Sequence, residues 1–334
     1  MSRSADVQGR GTAADHAVAT LRARGELWEP APGLVGLRGD ALVLLRALER
    51  ELAAVAASCV DEMGGDEWLV PPALSLETLE RSNYFASFPQ WLTLASHLSD
   101  DPTVLEHVAA SERPAGAARD ALAPAGAALP PAACYHVYAA LAGTTLDRPR
   151  AVTAQCTCWR HEGDRHRALE RGWAFTMREA VCLGDDDAVC RFAERGAERV
   201  VSFAAALGLN GRVALAADPF YAPTARGRAL LQRVKALKHE LLLPIGGGNE
   251  VAAASFNLHE RFFGEAFDIR AAGGAPAAGA CVAAGVERWL LAFLAAHGPD
   301  AHAWPSVEGA ANDATPATPS YSRRRSSREP EVMK

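Results

Sequence analysis

Long apolar runs are absent from this sequence of 334 residues. No stretch reaches the roughly 18 to 20 consecutive uncharged apolar residues that a membrane-spanning helix needs. Residues 1–29 mix Arg, Asp and Gly and lack the apolar core of a secretory signal. The sequence therefore predicts a protein without a membrane span or signal peptide, located in the cytoplasm.

An excess of positive charge is also missing, because 34 Lys and Arg stand against 40 Asp and Glu, for a formal net charge of −6. Proteins that hold the phosphates of a duplex usually present a basic face. This net negative charge argues against general nucleic-acid binding, although it does not exclude one local basic patch.

A disulfide framework is not expected either, since the seven cysteines are odd in number and occur in a long chain without a secretion signal. Metal binding or thiol chemistry is a better explanation for these cysteines than disulfide bonding.

What is present suits a folded catalytic unit, with 49% hydrophobic and 22% charged residues. The length allows two domains, or one large domain with an appendage. We predict a loosely ordered leader over 1–25, one catalytic domain over 26–300 and a disordered tail over 301–334. The tail is rich in Pro, Ser and Thr and carries four clustered arginines, Arg323, Arg324, Arg325 and Arg328.

Hydrophobic periodicity divides the chain into helical and β-like segments. Helices are predicted over 40–59, 89–98, 189–207, 228–242 and 285–296. Strands are predicted over 134–138, 151–160, 172–183 and 252–257, with an irregular connection at 115–133 and a turn at 246–248. The second and third strands, joined by a charged loop, predict an antiparallel hairpin.

The hairpin places chemically useful side chains on one face, because strand side chains alternate with a period of two. The residues sharing a face are Cys156, Cys158, Arg160 and Glu162 on one strand and Phe175, Met177 and Glu179 on the other. They suit a nucleotide laid across the sheet, with Arg160 against a phosphate, Glu162 accepting from an amino group and Phe175 stacking on a base. The alternative is two solvated strand faces with ordinary salt bridges.

Three residues far apart in sequence, Cys134, Glu179 and Cys281, offer two thiolates and a carboxylate. This set is acceptable to zinc and leaves a fourth position open. The alternative is that the cysteines are small buried hydrophobic residues.

Other motifs are weaker. In the run 161–166 (HEGDRH) the two histidines are five residues apart instead of four, so they do not share a helix face as in zinc proteases. A lone Cys156-Thr157-Cys158 is more typical of a strand interior than of a metal site. The glycines at 246–248 lack the Lys-Ser/Thr that completes a P-loop.

Taken together, these features resemble a class II aminoacyl-tRNA synthetase core. Its motif 2 is matched by 160–162 (RHE) with Phe175, and its motif 3 by 285–288 (GVER). The sequence is most similar to the stand-alone amino acid:carrier protein ligases, which are related to the atypical, zinc-dependent seryl-tRNA synthetases. The blocks that carry this similarity are 83–89 (NYFASFP), 134–138 (CYHVY), 175–179 (FTMRE), 218–220 (DPF), 255–259 (SFNLH) and 280–281 (AC).

The resemblance implies an α+β fold, an antiparallel sheet flanked by helices, in a homodimer. It implies Zn²⁺ on Cys134, Glu179 and Cys281, and ATP with Mg²⁺. The ATP contacts it implies are Arg160 to the α-phosphate, Glu162 to adenine, Arg171 in the motif 2 loop, Phe175 stacking on the base, Ser255 near the phosphates and magnesium, Arg288 to the γ-phosphate and Lys238 as a further contact. Arg160 and Arg288 would be the catalytic residues.

The implied activity is activation of glycine or alanine as an aminoacyl adenylate and transfer to the phosphopantetheine thiol of a carrier protein. A basic segment with Arg226, Arg228, Arg233, Lys235 and Lys238 could meet an acidic carrier or the phosphate of its arm, or could be a solvated helix face. Two alternatives remain: a tRNA-aminoacylating seryl-tRNA synthetase-like enzyme, and a catalytically silent binding module. No long charged helical hairpin for tRNA is evident, which disfavours the first.

Overall fold

The computed structural model describes residues 11–221, 230 and 232–313. In chain order its strands are β1 (Leu27–Ala31), β2 (Leu34–Leu37), β3 (Asp66–Leu69), β4 (Leu74–Ser75), β5 (Leu94–Ala95), β6 (Ala127–Ala128), β7 (Arg150–Trp159), β8 (Ala174–Gly184), β9 (Arg212–Leu215), β10 (Lys238–Gly246), β11 (Asn249–Glu260) and β12 (Ala278–Gly285). Its helices are α1 (Ala13–Ala23), α2 (Gly39–Asp61), α3 (Leu76–Arg81), α4 (Tyr84–Ser87), α5 (Pro102–Ala110), α6 (Pro114–Asp120), α7 (Cys134–Ala140), α8 (Asp186–Ala206), α9 (Phe262–Phe267), α10 (Val286–His297) and α11 (Ala310–Asp313).

Within these residues the central sheet has seven strands in the order β3-β7-β8-β12-β11-β10-β9. All neighbours are antiparallel except β3 and β7. Helices flank this sheet, so the predicted α+β architecture is confirmed. In the same part of the chain, no helix is long and apolar enough to cross a membrane.

One face of the sheet packs against α2, α8 and α10. In α2 the buried Leu44, Leu48, Leu52 and Val55 recur every three to four residues, as predicted for 40–59. Each such side chain contributes about 1.5 to 3 kcal/mol by leaving water. Helix α8 approaches so closely that a Cβ on Gly196 would lie 2.6 Å from Val282 Cγ2. This face is the main hydrophobic core.

The hairpin predicted over 151–183 is β7 and β8, whose register pairs Cys156 with Met177 and Cys158 with Phe175. The predicted strand at 252–257 lies within β11, and the predicted helices at 189–207 and 285–296 are α8 and α10. The 246–248 turn joins β10 to β11, where Gly247 and Gly248 have φ of +62° and +78°. Two consecutive positive φ values are what a tight hairpin turn needs.

The opposite face of the sheet is covered only in part, by α7 and α9. The strand predicted over 134–138 is wrong, because these residues begin α7. Cys134, Val137 and Tyr138 are buried at the i, i+3 and i+4 spacing of a helix, and the Tyr138 ring stacks on Phe263 with centroids 4.0 Å apart. Tertiary packing thus overrides the β propensity of an aromatic, β-branched segment.

The helix predicted over 228–242 is also wrong from Lys238 onward, where β10 begins. Burial alternates along β10, with His239, Leu241 and Leu243 buried, because the strand lies between β9 and β11. Residue 230 and residues 232–234 are helical; 228, 229 and 231 lie outside the described residues.

Two shorter predictions also need correction. The helix predicted over 89–98 is a single 3₁₀ turn, Pro89–Trp91, followed by β5. The predicted irregular connection at 115–133 contains most of α6 and all of β6. Strand β6 pairs with both β4 and β5, so non-local strand pairing determines the structure here.

Both ends of the described chain are more ordered than predicted. Residues 13–23 of the predicted leader form α1, which Thr12 caps and which buries Ala14, Ala17 and Leu21. In the predicted tail, Val307 and Ala310 are buried, and Glu51 accepts the N–H groups of Gly309 and Ala311 at 3.1 and 2.9 Å. Residues 1–10 and 314–334, with the four tail arginines, lie outside the described residues.

Candidate active site

A cavity of about 380 Å³ opens on the sheet face that α7 and α9 leave uncovered. All ten residues predicted for the site line it, although they come from segments spread over more than 150 positions. They are Cys134, Arg160, Glu162, Arg171, Phe175, Glu179, Lys238, Ser255, Cys281 and Arg288. The structure therefore brings the predicted metal ligands and the predicted nucleotide contacts into one space.

Cys134, Glu179 and Cys281 form a compact cluster at one end of this cavity. Their ligand atoms all lie within 4.8 Å of one another, and all three residues are buried. Cys134 begins α7, whereas Glu179 and Cys281 lie on neighbouring strands. Because Ala283 pairs with Glu179 across β8 and β12, Cys281, two residues away, shares the same face.

The chemistry of this cluster fits a bound cation. Glu179 Oε1 accepts the N–H of Ala133 at 2.7 Å, while its buried Oε2 has no hydrogen-bond partner. Burial and the neighbouring Cys281 raise the pKa of Glu179 to about 7. A hydrogen bond from Cys134, together with His259 and Asn257, holds the pKa of Cys281 well below its usual range despite burial. Buried anionic ligands of this kind are stabilised by a metal ion.

Three arginines converge on the other part of the cavity. Arg160 donates from Nε to Pro131 O at 2.9 Å, and its guanidinium lies 5.2 and 5.4 Å from the ring centroids of Trp91 and Phe175. Cation–π contacts and the hydrogen bond fix its orientation.

Arg288 donates to the carbonyl oxygens of Glu170 and Ala252 at 2.8 and 2.9 Å. Burial, and then the positive charges of Arg160 and Arg171, lower the pKa of Arg288. Mutual repulsion of the three cations marks this region as a site for a multiply charged anion. Arg171 is paired with Glu162 at the cavity wall.

Lys238 extends from the first position of β10 into the same cavity. Its Nζ lies 2.5 Å from Asp218 Oδ1 and 3.2 Å from Glu240 Oε1. Burial alone would lower the pKa of Lys238, but the two carboxylates outweigh it and raise the pKa. Residues Asp218 and Glu240 were not predicted as site residues. Glu240 shares the face of Lys238 two positions on, a relationship that a strand prediction would have shown.

Glu287 also lines the cavity and was not predicted as a site residue. Both of its carboxylate oxygens lie 2.9 Å from the backbone nitrogen of Thr176, which donates its N–H between them. Burial raises the pKa of Glu287. This contact joins the start of α10, next to Arg288, to the strand that carries Phe175. Its sequence signal was the acid inside the 285–288 motif.

Asn257 and His259, also unassigned, contact one sulfur of the Cys134–Glu179–Cys281 cluster. Asn257 Nδ2 lies 3.3 Å and His259 Nε2 lies 3.4 Å from Cys281 Sγ. Asn257 Nδ2 also donates to Ser255 Oγ at 3.1 Å. The alternation of the 255–259 block could have indicated them, because positions 255, 257 and 259 of a strand share a face, and here that face lines the cavity.

The weaker motifs gain no metal-binding role. Within the described residues, the Cys134 cluster is the one group of three or more Cys, His, Asp or Glu in metal-binding geometry. His161 and His166 face each other with ring centroids 5.9 Å apart. Cys156 and Cys158 are buried in the β7 interior, with sulfurs 3.5 Å apart.

The predicted basic segment is only partly a surface feature. Lys238 lines the cavity and its side chain is 13% exposed, so it adds little to the exposed surface of this segment. Lys235 pairs with Glu260 at 2.9 Å, and Arg233 is exposed. Arg226 and Arg228 lie outside the described residues.

No protein-family model matches the chain, but individual proteins of known name do. The chain is 36% identical over 266 residues to amino acid–[acyl-carrier-protein] ligase 1 of Bradyrhizobium diazoefficiens, covering 79% of this chain and 81% of that protein. Ligase 2 of the same bacterium is 34% identical over 276 residues, with 82% and 81% covered. Among solved structures, M. kandleri seryl-tRNA synthetase in complex with A. aeolicus tRNASec superposes with a TM-score of 0.76 at 24% identity, over 92% of this chain and 61% of that one. The fold is therefore that of a class II aminoacyl-tRNA synthetase.

Proposed function

The chain belongs to the amino acid–[acyl-carrier-protein] ligase family, and on this premise we propose that it activates a small amino acid, glycine or alanine, with ATP and transfers it to a carrier protein. It is a ligase. The observation that carries the proposal is the single cavity in which the Cys134–Glu179–Cys281 cluster faces three converging arginines. One end suits an amine held by a metal, and the other suits a triphosphate.

ATP binds in the arginine-lined part of the cavity. Phe175 stacks on adenine and Glu162 accepts from its amino group, while Ser255 lies near the phosphates and their Mg²⁺. Arg160 contacts the α-phosphate and Arg288 the γ-phosphate, with Arg171 and Lys238 as further phosphate contacts. The support is electrostatic, because Arg160 and Arg171 add to burial in lowering the pKa of Arg288, as expected where positive charges converge.

The amino acid binds at the buried cluster. Cys134, Glu179 and Cys281 hold Zn²⁺, which supplies a Lewis-acid position for the substrate's amino group. Tyr135 and Phe263 line the same cavity and meet edge to face, with centroids 5.8 Å apart. Their apolar faces suit a substrate with a small apolar side chain or none, as glycine and alanine have.

Two displacement steps complete the reaction. A carboxylate oxygen of the amino acid attacks the α-phosphorus, and the bond to pyrophosphate breaks. Arg160 and Arg288 stabilise the charge that develops on the phosphoryl oxygens. The phosphopantetheine sulfur then attacks the acyl carbon as its thiolate, AMP leaves with the former carboxylate oxygen, and the thiol proton passes to solvent. No side-chain nucleophile is needed.

The proposal includes a homodimer and a cytoplasmic location. Leu69 is fully exposed on the edge strand β3, and Val43 on α2 is 68% exposed. Apolar residues on an open sheet edge favour burial against a second copy. All seven cysteines are unbridged, which suits a reducing compartment. Sedimentation analysis of wild type and Leu69→Lys tests the dimer: loss of dimer in the variant alone supports this edge as the interface.

Transfer to tRNA is the second candidate, because the M. kandleri synthetase shares the fold over nearly the whole chain. This chain, however, aligns with 61% of that synthetase chain. A catalytically silent binding module is the third candidate, and the complete set of cavity residues disfavours it.

Amino-acid-dependent exchange of pyrophosphate into ATP, measured across the twenty amino acids, tests the first step. We expect exchange with glycine or alanine alone, reduced about 10²- to 10³-fold in Arg160→Leu. Absence of exchange in folded, zinc-loaded protein would leave the silent module as the better account. Radiolabelled substrate offered to phosphopantetheinylated carrier or to tRNA then distinguishes the two acceptors.

A further inference from the structure

Two side chains outside the metal-ligand set point nitrogen atoms at the same sulfur. Asn257 Nδ2 and His259 Nε2 lie 3.3 and 3.4 Å from Sγ of Cys281. Strand register explains this convergence. Asn257 is paired with Cys281 across β11 and β12, and His259, two residues further along β11, shares its face.

The arrangement is asymmetric between the two thiols. Across residues 11–221, 230 and 232–313, no side-chain nitrogen donates to Cys134 Sγ, which contacts Cys281 and Glu179. His259 is not positioned to be a fourth ligand. The group of ligand atoms within 4.8 Å of one another comprises those of Cys134, Glu179 and Cys281, and neither ring nitrogen of His259 belongs to it. Ligand atoms on one tetrahedral zinc lie less than about 4 Å apart. Its remaining role toward Cys281 is that of an N–H donor.

We propose that Asn257 and His259 are positioning residues of the metal centre, each donating a hydrogen bond to the sulfur of Cys281 and not to that of Cys134. This inference rests on the proposed metal site. The two donors fix the Cys281 side chain on the Glu179 side and draw electron density from its thiolate. Cys281 is thereby the weaker electron donor of the two sulfurs, so a bound metal keeps a higher affinity for the substrate's amine.

Metal binding by the purified full-length protein tests this inference without reference to catalysis. His259→Phe keeps an aromatic ring against Phe263, whose centroid is 4.9 Å away, and removes the donor. His259→Gln restores an N–H group, and Asn257→Leu removes the second donor. Tyr138→Phe is the matched control, since its ring lies 6.2 Å from that of His259 and its hydroxyl has no partner.

Zinc affinity is measured by competition with a chromophoric chelator, and the sulfur-to-metal charge-transfer band is recorded with Co²⁺. Outer-shell changes typically weaken metal binding about 10- to 100-fold. We expect that loss in His259→Phe and Asn257→Leu, because the Cys281 side chain is no longer held in position. The Co²⁺ band should move to longer wavelength, because the sulfur lone pairs rise in energy. His259→Gln should recover most of the affinity, and Tyr138→Phe should match wild type.

Two results would overturn the inference. One is an unchanged affinity and an unchanged Co²⁺ band in both donor-removing variants. The other is equal weakening by Tyr138→Phe, which would reveal a general effect of packing. Failure of wild type itself to bind metal is a distinct result that removes the metal site together with this inference. Circular dichroism of each metal-free variant verifies that the fold is retained.

Discussion

Glu287 receives the backbone N–H of Thr176 between its two carboxylate oxygens, each 2.9 Å from the nitrogen. The contact links the N-terminal turn of α10 to β8. Arg288 follows Glu287 and Phe175 precedes Thr176, so the contact sets the spacing between a cation and an aromatic ring that both line the cavity. It adds to the pairing of Met177 with Gly285 across β8 and β12, which also joins the two segments that carry the synthetase-like motifs.

We expect Glu287→Ala to lower the free energy of unfolding by about 1 to 3 kcal/mol, because a buried N–H loses its acceptor. The ATP KM in pyrophosphate exchange should rise, since the spacing of Arg288 and Phe175 is no longer held. Glu287→Gln keeps an acceptor oxygen and should retain most of the stability. Chemical denaturation and exchange kinetics check both variants. Equal losses in Ala and Gln would show that charge, and not the hydrogen bond, is what matters.

Lys238 lies between the carboxylates of Asp218 and Glu240, and its removal leaves two like charges facing each other. Its side chain is 13% exposed and each carboxylate side chain 26%. Lys238→Met should therefore cost about 1 to 3 kcal/mol of stability, less than the 3 to 5 typical of a fully buried pair. Combining it with Asp218→Asn should recover part of this loss, as a double-mutant cycle in urea can measure. A double variant no more stable than Lys238→Met would contradict the charge argument.

The same pair predicts a response to acid. Burial alone would raise the pKa of Asp218, but Lys238 and Gln232 outweigh it and lower the pKa below its ordinary value of 3.8. The stabilisation from ionised Asp218 is then fully present above pH 3.8 and is lost as the pH falls through the lower, folded-state value. Asp218→Asn should lose less stability than wild type on acidification below pH 3.8. Parallel slopes for the two proteins would argue against a lowered pKa.

Local patterns in the sequence were sufficient for the elements whose burial follows one clear period. Helix α2 is predictable because its apolar residues face a single core. The β7–β8 hairpin is predictable because a charged loop separates two β-like apolar segments, although these strands bury residues on both faces. The segments at 134–138 and 238–242 were assigned to the wrong class, since their structure depends on partners distant in sequence. Phe263 determines the packing of the first, and β11 determines that of the second.

The site shows the same division. Period two alone groups Arg160 with Cys158 along one strand and Phe175 with Glu179 along the other. Cys134 and Cys281 have no local relationship, and only the resemblance to a known family joined them to Glu179. Glu240 was not predicted as a neighbour of Lys238 because the segment was predicted as a helix, in which residues two positions apart lie on different faces. Asn257 and His259 were not predicted as donors to Cys281 because they lie on the neighbouring strand, and the register between two strands cannot be derived from the sequence of one strand.

Two buried cysteines, one inside the cluster and one outside it, allow a matched test of the cluster. Cys134 belongs to the cluster, whereas Cys156 is buried on β7 outside it. We expect Cys134→Ser to weaken zinc binding by more than about 100-fold, beyond the range of outer-shell changes, and to abolish exchange. Cys156→Ser should retain one zinc and most of the exchange activity. Metal analysis after dialysis measures both, and equal zinc content in the two variants would refute the assignment of Cys134.

Charge reversal on the protein surface can test recognition of the carrier separately from adenylation. Arg233 is exposed beside the cavity-lining strand β10, and Arg228 precedes it by five positions. If these arginines meet an acidic carrier, Arg228→Glu with Arg233→Glu should raise the KM for the carrier about tenfold or more while amino-acid-dependent exchange stays unchanged, because adenylation needs no carrier. The effect should diminish as salt is added, since exposed charges are screened. Arg113→Glu, at an exposed arginine before α6, is the control for net charge. An equal increase in carrier KM in that control, or none in the double variant, would remove the segment from the docking surface.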